Sequence, residues 1–91
     1  MRRLEAIVSG KVQRVGFRDF VRREASSRGI VGYVRNGADG MTVEVVAEGD
    51  AAALTALLDA LHHGPRFARV ERVDHTYSEA PGTFASFIEE P

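Results

Sequence analysis

The apolar residues of this chain switch repeatedly between two periods, and the order of those switches restricts the fold more than any other feature. Leu4, Ala6, Val8 and Val12 fall on alternate positions, which marks residues 3–12 as a half-buried strand. Phe17, Phe20, Val21 and Ala25 then fall at helical spacing, and the helix is expected to run to Arg28. Gly29 follows as a left-handed residue that ends it, with Ile30 folding back toward Ala25. Residues 30–36 read as a second strand. The run Asn36-Gly37-Ala38-Asp39-Gly40 tolerates positive φ and reads as a hairpin loop. Met41, Val43, Val45 and Ala47 alternate along the returning strand. Asp50 is placed to cap a second helix, where Leu54, Leu57, Leu58 and Leu61 form one stripe before Gly64-Pro65 stops it. A strand around 69–77 follows, then a break at Ala80-Pro81-Gly82 and a short run through Phe84, Phe87 and Ile88.

The resulting order is βαββαβ. It predicts an α+β fold of the split βαβ, ferredoxin-like kind, and right-handed crossovers place both helices on one face of a mostly antiparallel sheet. With 91 residues, 44% of them apolar, one modest core is affordable, so residues 1–91 are expected to form a single domain. No cysteine is present, which excludes disulfides, thiolate metal sites and a cysteine nucleophile. No segment approaches the roughly 20 apolar residues of a membrane span, and no signal peptide is visible. The expectation is a cytoplasmic monomer with no membrane contact. Net charge is −1, yet residues 1–40 carry nine Lys/Arg against four acids while residues 41–91 carry three against nine. A basic first half favours a phosphorylated substrate there, whereas the overall balance argues against nucleic acid.

Many unrelated functions share this fold, so function has to be argued from particular segments. The segment Gly10-Lys-Val-Gln-Arg-Val-Gly-Phe-Arg18 joins the first strand to the first helix. A turn entering a helix N-terminus collects unpaired N–H groups and a partial positive charge, which suits a small oxyanion such as phosphate. The backbone of Gln13, Arg14, Val15, Gly16, Phe17 and Arg18 is the candidate phosphate-binding loop. The Arg18 guanidinium can add bidentate contacts and stays charged at any working pH. Its plainer reading is a helix-start arginine paired with Asp19 or Glu24. Asn36 ends the second strand, adjacent to the first in such a sheet. Its amide can hold a water by its oxygen and a phosphate by its N–H₂, though it cannot act as a base. Its plainer reading is a turn residue chosen for geometry.

What is missing narrows the reaction. There is no cysteine, no histidine near either segment, no carboxylate cluster suited to magnesium, and no Gly-x-x-x-x-Gly-Lys-(Ser/Thr) loop. An arginine, backbone amides and an asparagine supply electrostatics and positioning but no acid, base or nucleophile. Such a site suits a phosphoryl donor whose leaving group needs no proton. A carboxylate, with a conjugate-acid pKa of about 4, qualifies and an alkoxide does not. His62 and His63 point about 100° apart on a helix and are expected to favour its C-terminus, while His75 is isolated on a strand; none is assigned a role. Tyrosines and phenylalanines default to the core or a sheet face. Tyr33 is the one considered for the substrate mouth.

Two motifs together resemble the acylphosphatase family across essentially the whole chain. Gly10, Val12, Gln13, Val15, Phe17 and Arg18 match its Gly-x-Val-Gln-Gly-Val-x-Phe-Arg pattern. Gly32, Tyr33, Val34, Asn36, Asp39 and Gly40 match its Gly-(aromatic)-Val-x-Asn, then Asp-Gly, pattern. Arg14 departs from it, standing where the family usually has glycine. The resemblance implies hydrolysis of an acyl phosphate to carboxylate and inorganic phosphate, the phosphate being both product and inhibitor. It implies catalysis by Arg18 and Asn36, Arg18 with the loop amides holding the phosphoryl group and Asn36 orienting the water, with no metal or cofactor. The alternative is a non-catalytic, phosphate-ligand-binding regulatory domain of the same fold. An RNA-recognition sheet would need stacking aromatics on its central strands, and those here are aliphatic.

Overall fold

Alternation in β1 (Arg2–Lys11) produces a sheet with two unlike faces: Leu4, Ala6 and Val8 are buried, whereas Glu5 and Ile7 between them are exposed. The computed structural model describes residues 1–91. After β1 come α1 (Phe17–Ser26), β2 (Val31–Asn36), β3 (Thr42–Gly49), α2 (Ala51–His63), β4 (Arg69–Glu79) and β5 (Phe87–Glu89). The sheet order is β4-β1-β3-β2-β5. Every neighbouring pair is antiparallel except β2 and β5, which run parallel. Both helices cover the face of Leu4, Ala6 and Val8. Val21 and Ala25 of α1 and Leu54, Leu57 and Leu61 of α2 join Val34, Val43, Val45 and Ala47 in one core. Each fully buried Leu or Val contributes about 1.5–3 kcal/mol over leaving it exposed.

The expected architecture is present, with one correction inside the sheet and others at element ends. Strand β2 is not adjacent to β1, because β3 pairs with both and lies between them, so Asn36 nears the loop from one strand further away. Helix α1 stops at Ser26 rather than Arg28, because the Ile30 N–H already reaches back to the Ala25 carbonyl (3.0 Å) and Gly29 turns left-handed at φ 70°. Asp50 occupies the N-cap position of α2, and its carbonyl accepts from Leu54 N–H (3.0 Å), but its side chain makes no cap hydrogen bond. The short run expected through Phe84, Phe87 and Ile88 forms a fifth strand from Phe87, one more than the βαββαβ order counts.

Two features place the functional end of the sheet. A bulge interrupts β1–β4 pairing: Ser9 lies opposite Arg72 but Gly10 opposite Val70, leaving Glu71 as the extra residue. Gly10 has φ 129°, and a Cβ there would collide with the Arg69 carbonyl. Residues 80–86 then carry the chain from the β4 edge across the uncovered face to the opposite edge. Gly82 N–H donates to Glu48 Oε1 (3.2 Å), and Phe84 meets Tyr33 edge-on at 5.9 Å with the Arg3 guanidinium 5.6 Å from its ring. Under this strap Glu48 is fully buried, accepting from Arg3 Nε (2.9 Å) and Nη2 (2.7 Å).

Candidate functional site

Within the first motif, most side chains hold the backbone and few are left for a ligand. Val12 and Phe17 are buried and Val15 packs half-buried against the same core, so these three fix the loop from inside. Gln13 ties it from the side, its Nε2 donating to the carbonyls of Gly37 (3.0 Å) and Thr42 (2.9 Å). Gly16 enters α1 left-handed at φ 77°. Arg14 is the one non-glycine residue with positive φ, at 63°, a conformation that costs an L-residue on the order of 1 kcal/mol. With the loop held this way, no backbone N–H from Gln13 to Asp19 donates a hydrogen bond within the chain. Phe20 N–H is the next donor used, to the Gly16 carbonyl at 3.0 Å.

The second motif supplies the facing wall. Asn36 lies opposite Val43, itself in line with Val8, so it is on the helix-covered face and at the end of β2 beside the loop. Its half-buried side-chain amide has no hydrogen-bond partner in the chain. The turn beyond it is shaped by Asp39, whose Oδ1 accepts from Met41 N–H (2.9 Å), Thr42 N–H (3.1 Å) and Thr42 Oγ1 (2.9 Å). The Met41 N–H, followed by the Thr42 hydroxyl, keeps the Asp39 carboxyl below its ordinary range. Asp39 and Gly40 therefore serve turn geometry.

Loop and strand end enclose a cleft of about 170 Å³ lined by Val12, Arg14, Gly16, Phe17, Arg18, Asp19, Asn36 and Glu89. That is roughly six water volumes, enough for a phosphoryl group. Arg18 pairs with neither Asp19 nor Glu24. Its Nη1 donates instead to the Glu90 carbonyl (2.7 Å), which leaves its charge uncancelled. Both carboxylates of the cleft are engaged elsewhere: Asp19 with Arg22 (2.8 Å) and Arg23 (2.9 Å), and Glu89 with Arg22 (2.8 Å). Hydrogen bonds from Arg22, then Arg23, hold the Asp19 carboxyl below its ordinary range. Nowhere do three His, Asp or Glu side chains gather as a metal ion would require.

The other sequence-derived candidates lie elsewhere. Tyr33 is on the uncovered face, in a separate depression of about 530 Å³ with Ile7, Arg35, Glu44, Val46 and Thr76, so it does not line the cleft. His63 Nδ1 is 2.9 Å from the Asp59 carbonyl, His62 is exposed, and His75 stands edge-on to Tyr77 on β4. Glu89 and the Glu90 carbonyl are parts of the cleft that sequence reasoning missed. No helix is long and apolar enough to cross a membrane.

Comparison with known proteins gives a consistent result. Residues 4–88 match the family described as Acylphosphatase. An acylphosphatase of Deinococcus radiodurans is 55% identical over 80 residues, covering 88% of this chain and 91% of that one. One of Salinibacter ruber is 48% identical over 86 residues, covering 94% and 90%. Among solved structures, an acylphosphatase from Bacillus subtilis superposes with a TM-score of 0.95 at 37% identity, with complete coverage of both chains.

Proposed function

The chain belongs to the acylphosphatase family, enzymes of acyl phosphate hydrolysis, and from that premise we propose that Arg18 and the amides of residues 13–18 hold the phosphoryl group while Asn36 orients the water that attacks it. The observation that carries this reading is the cleft itself. Its unengaged donors include the loop N–H groups, the Arg18 N–H groups beyond the one given to Glu90, and the Arg14 guanidinium, and the unpartnered Asn36 amide lines the same cleft of about 170 Å³.

Water bound to the Asn36 carbonyl oxygen approaches phosphorus opposite the acyl oxygen. A bond forms from the water oxygen to phosphorus as the bond from phosphorus to the acyl oxygen breaks, and its electron pair leaves on the carboxylate. Both water protons end on phosphate oxygens, giving a carboxylate and dihydrogen phosphate. No side chain accepts a proton, in keeping with a cleft whose carboxylates are already held by arginines. Fixed donors aimed at the equatorial oxygens are worth about 10²–10³ in rate apiece when they act in the transition state. Gln13 acts one step back. It locks the loop to the β2–β3 turn, so the two walls keep their spacing.

The test is turnover of benzoyl phosphate with a metal chelator present, by wild type and by Arg18→Ala. Wild type should hydrolyse it, and the folded variant should lose turnover together with competitive inhibition by inorganic phosphate. Near-wild-type activity in folded Arg18→Ala would sink the assignment. A wild type that binds phosphate but leaves benzoyl phosphate intact would point to a regulatory, phosphate-binding role.

A further inference from the structure

Around the cleft, every guanidinium but one has a partner. Arg18 donates to the Glu90 carbonyl, and Arg22 and Arg23 are matched with Asp19 and Glu89. Arg14 lines the same cleft, is exposed, and makes neither an ion pair nor a hydrogen bond. It also keeps φ 63°, a strain that glycine would avoid. Such an outlier at a cleft wall asks for a reason in function.

We propose that Arg14 is a specificity-determining residue, whose guanidinium receives a second anionic group carried on the acyl part of the substrate. The proposal rests on the hydrolase reading given above. Burial sets the order of the two cations: Arg18 is half-buried and anchored from behind, while Arg14 is outside it at the rim. A phosphoryl group drawn to the unbonded loop amides and Arg18 leaves the acyl portion pointing outward, past Arg14. The carboxylates that could repel a second anion there, Asp19 and Glu89, are neutralised by Arg22 and Arg23. The substrate class is therefore an acyl phosphate bearing a carboxylate or phosphate on its acyl chain. An acyl phosphate with an apolar acyl group carries no second anion for Arg14 to receive.

The experiment compares benzoyl phosphate with 4-carboxybenzoyl phosphate, which differ by one remote carboxylate. Wild type should show a higher kcat/KM for the carboxylated compound by about three- to fivefold, the range of an exposed ion pair. Arg14→Gln should bring the two to parity, and Arg14→Lys should retain part of the preference. Raising salt should erase it in wild type, since the screening length falls from about 10 Å at 0.1 M to about 3 Å at 1 M. An equal loss on both compounds in Arg14→Gln would overturn the proposal and make Arg14 a phosphoryl contact. Absence of any preference in wild type would also overturn it. Calorimetric binding of the corresponding benzoylphosphonates, which cannot be hydrolysed, separates the two readings. Arg14 is tested by the ratio of their Kd values in wild type and Arg14→Gln, even if neither phosphate is turned over, an outcome that would count against the hydrolase reading alone.

Discussion

Gln13 commits its side-chain amide to the carbonyls of Gly37 and Thr42, so the two motifs are joined and Asn36 stands at a fixed distance from the loop. The Asn36 amide itself has no partner, and its replacement should disturb function far more than folding. Asn36→Ala is expected to lower kcat by about 10²-fold with KM little changed, as loss of a contact made chiefly in the transition state requires. Steady-state kinetics on benzoyl phosphate decide it; a large rise in KM with kcat preserved would reassign Asn36 to ground-state binding. That Arg18 and Asn36 would share one cleft was legible because one stands at a helix start and the other at a strand end, each in a motif. The Glu90 carbonyl that holds Arg18 was not. A backbone acceptor 72 residues away leaves no side-chain signature.

Between elements, the strap over residues 80–86 is fixed by a charge that the period-2 pattern does not announce. Ala47, Glu48 and Gly49 are all buried in succession, which breaks the alternation of β3, and Glu48 is satisfied there by Arg3 and Gly82. Removing one partner leaves the other short of hydrogen bonds in a largely dry site, and that costs more than the pair contributes. Arg3→Met strands the fully buried Glu48 carboxylate and should therefore cost about 3 kcal/mol in urea unfolding, whereas Arg3→Met with Glu48→Leu should recover most of the loss. If the double variant is as unstable as Arg3→Met, the strap depends on the charges themselves. Helices and long strands were readable because their patterns run for several turns or pleats. Strand β5 has three residues, too few to show a period, so its parallel pairing with β2 comes from tertiary structure alone. The end of α1 was misplaced for a related reason: Arg28 and Ser27 are acceptable helix residues, but the bond from Ile30 to Ala25 closes the helix first.

For the molecule as a whole, acid should act through carboxylates held below their ordinary values. Asp19, bonded by Arg22 and Arg23, and Asp39, bonded by Met41 N–H and Thr42, both lie under the usual 3.8. A folded-state value below the unfolded one stabilises the protein above about 3.8 and ceases to as pH falls through the folded value. The melting temperature should thus be level from neutrality to about pH 4 and drop below it. Asp39→Asn should flatten part of that drop; circular dichroism melts from pH 7 to 2 would count against this if the two acid slopes were identical. The contact between Arg18 and Glu90 has a consequence of another kind, in time rather than in energy. A ribosome delivers the loop early and its anchor 72 residues later. Helix α1 and the β2–β3 hairpin can form on the growing chain, yet Arg18 has nothing to hold it until β5 emerges and docks on β2. The Arg18 guanidinium is thus set only when the last strand of the sheet docks, after the loop that carries it has been made.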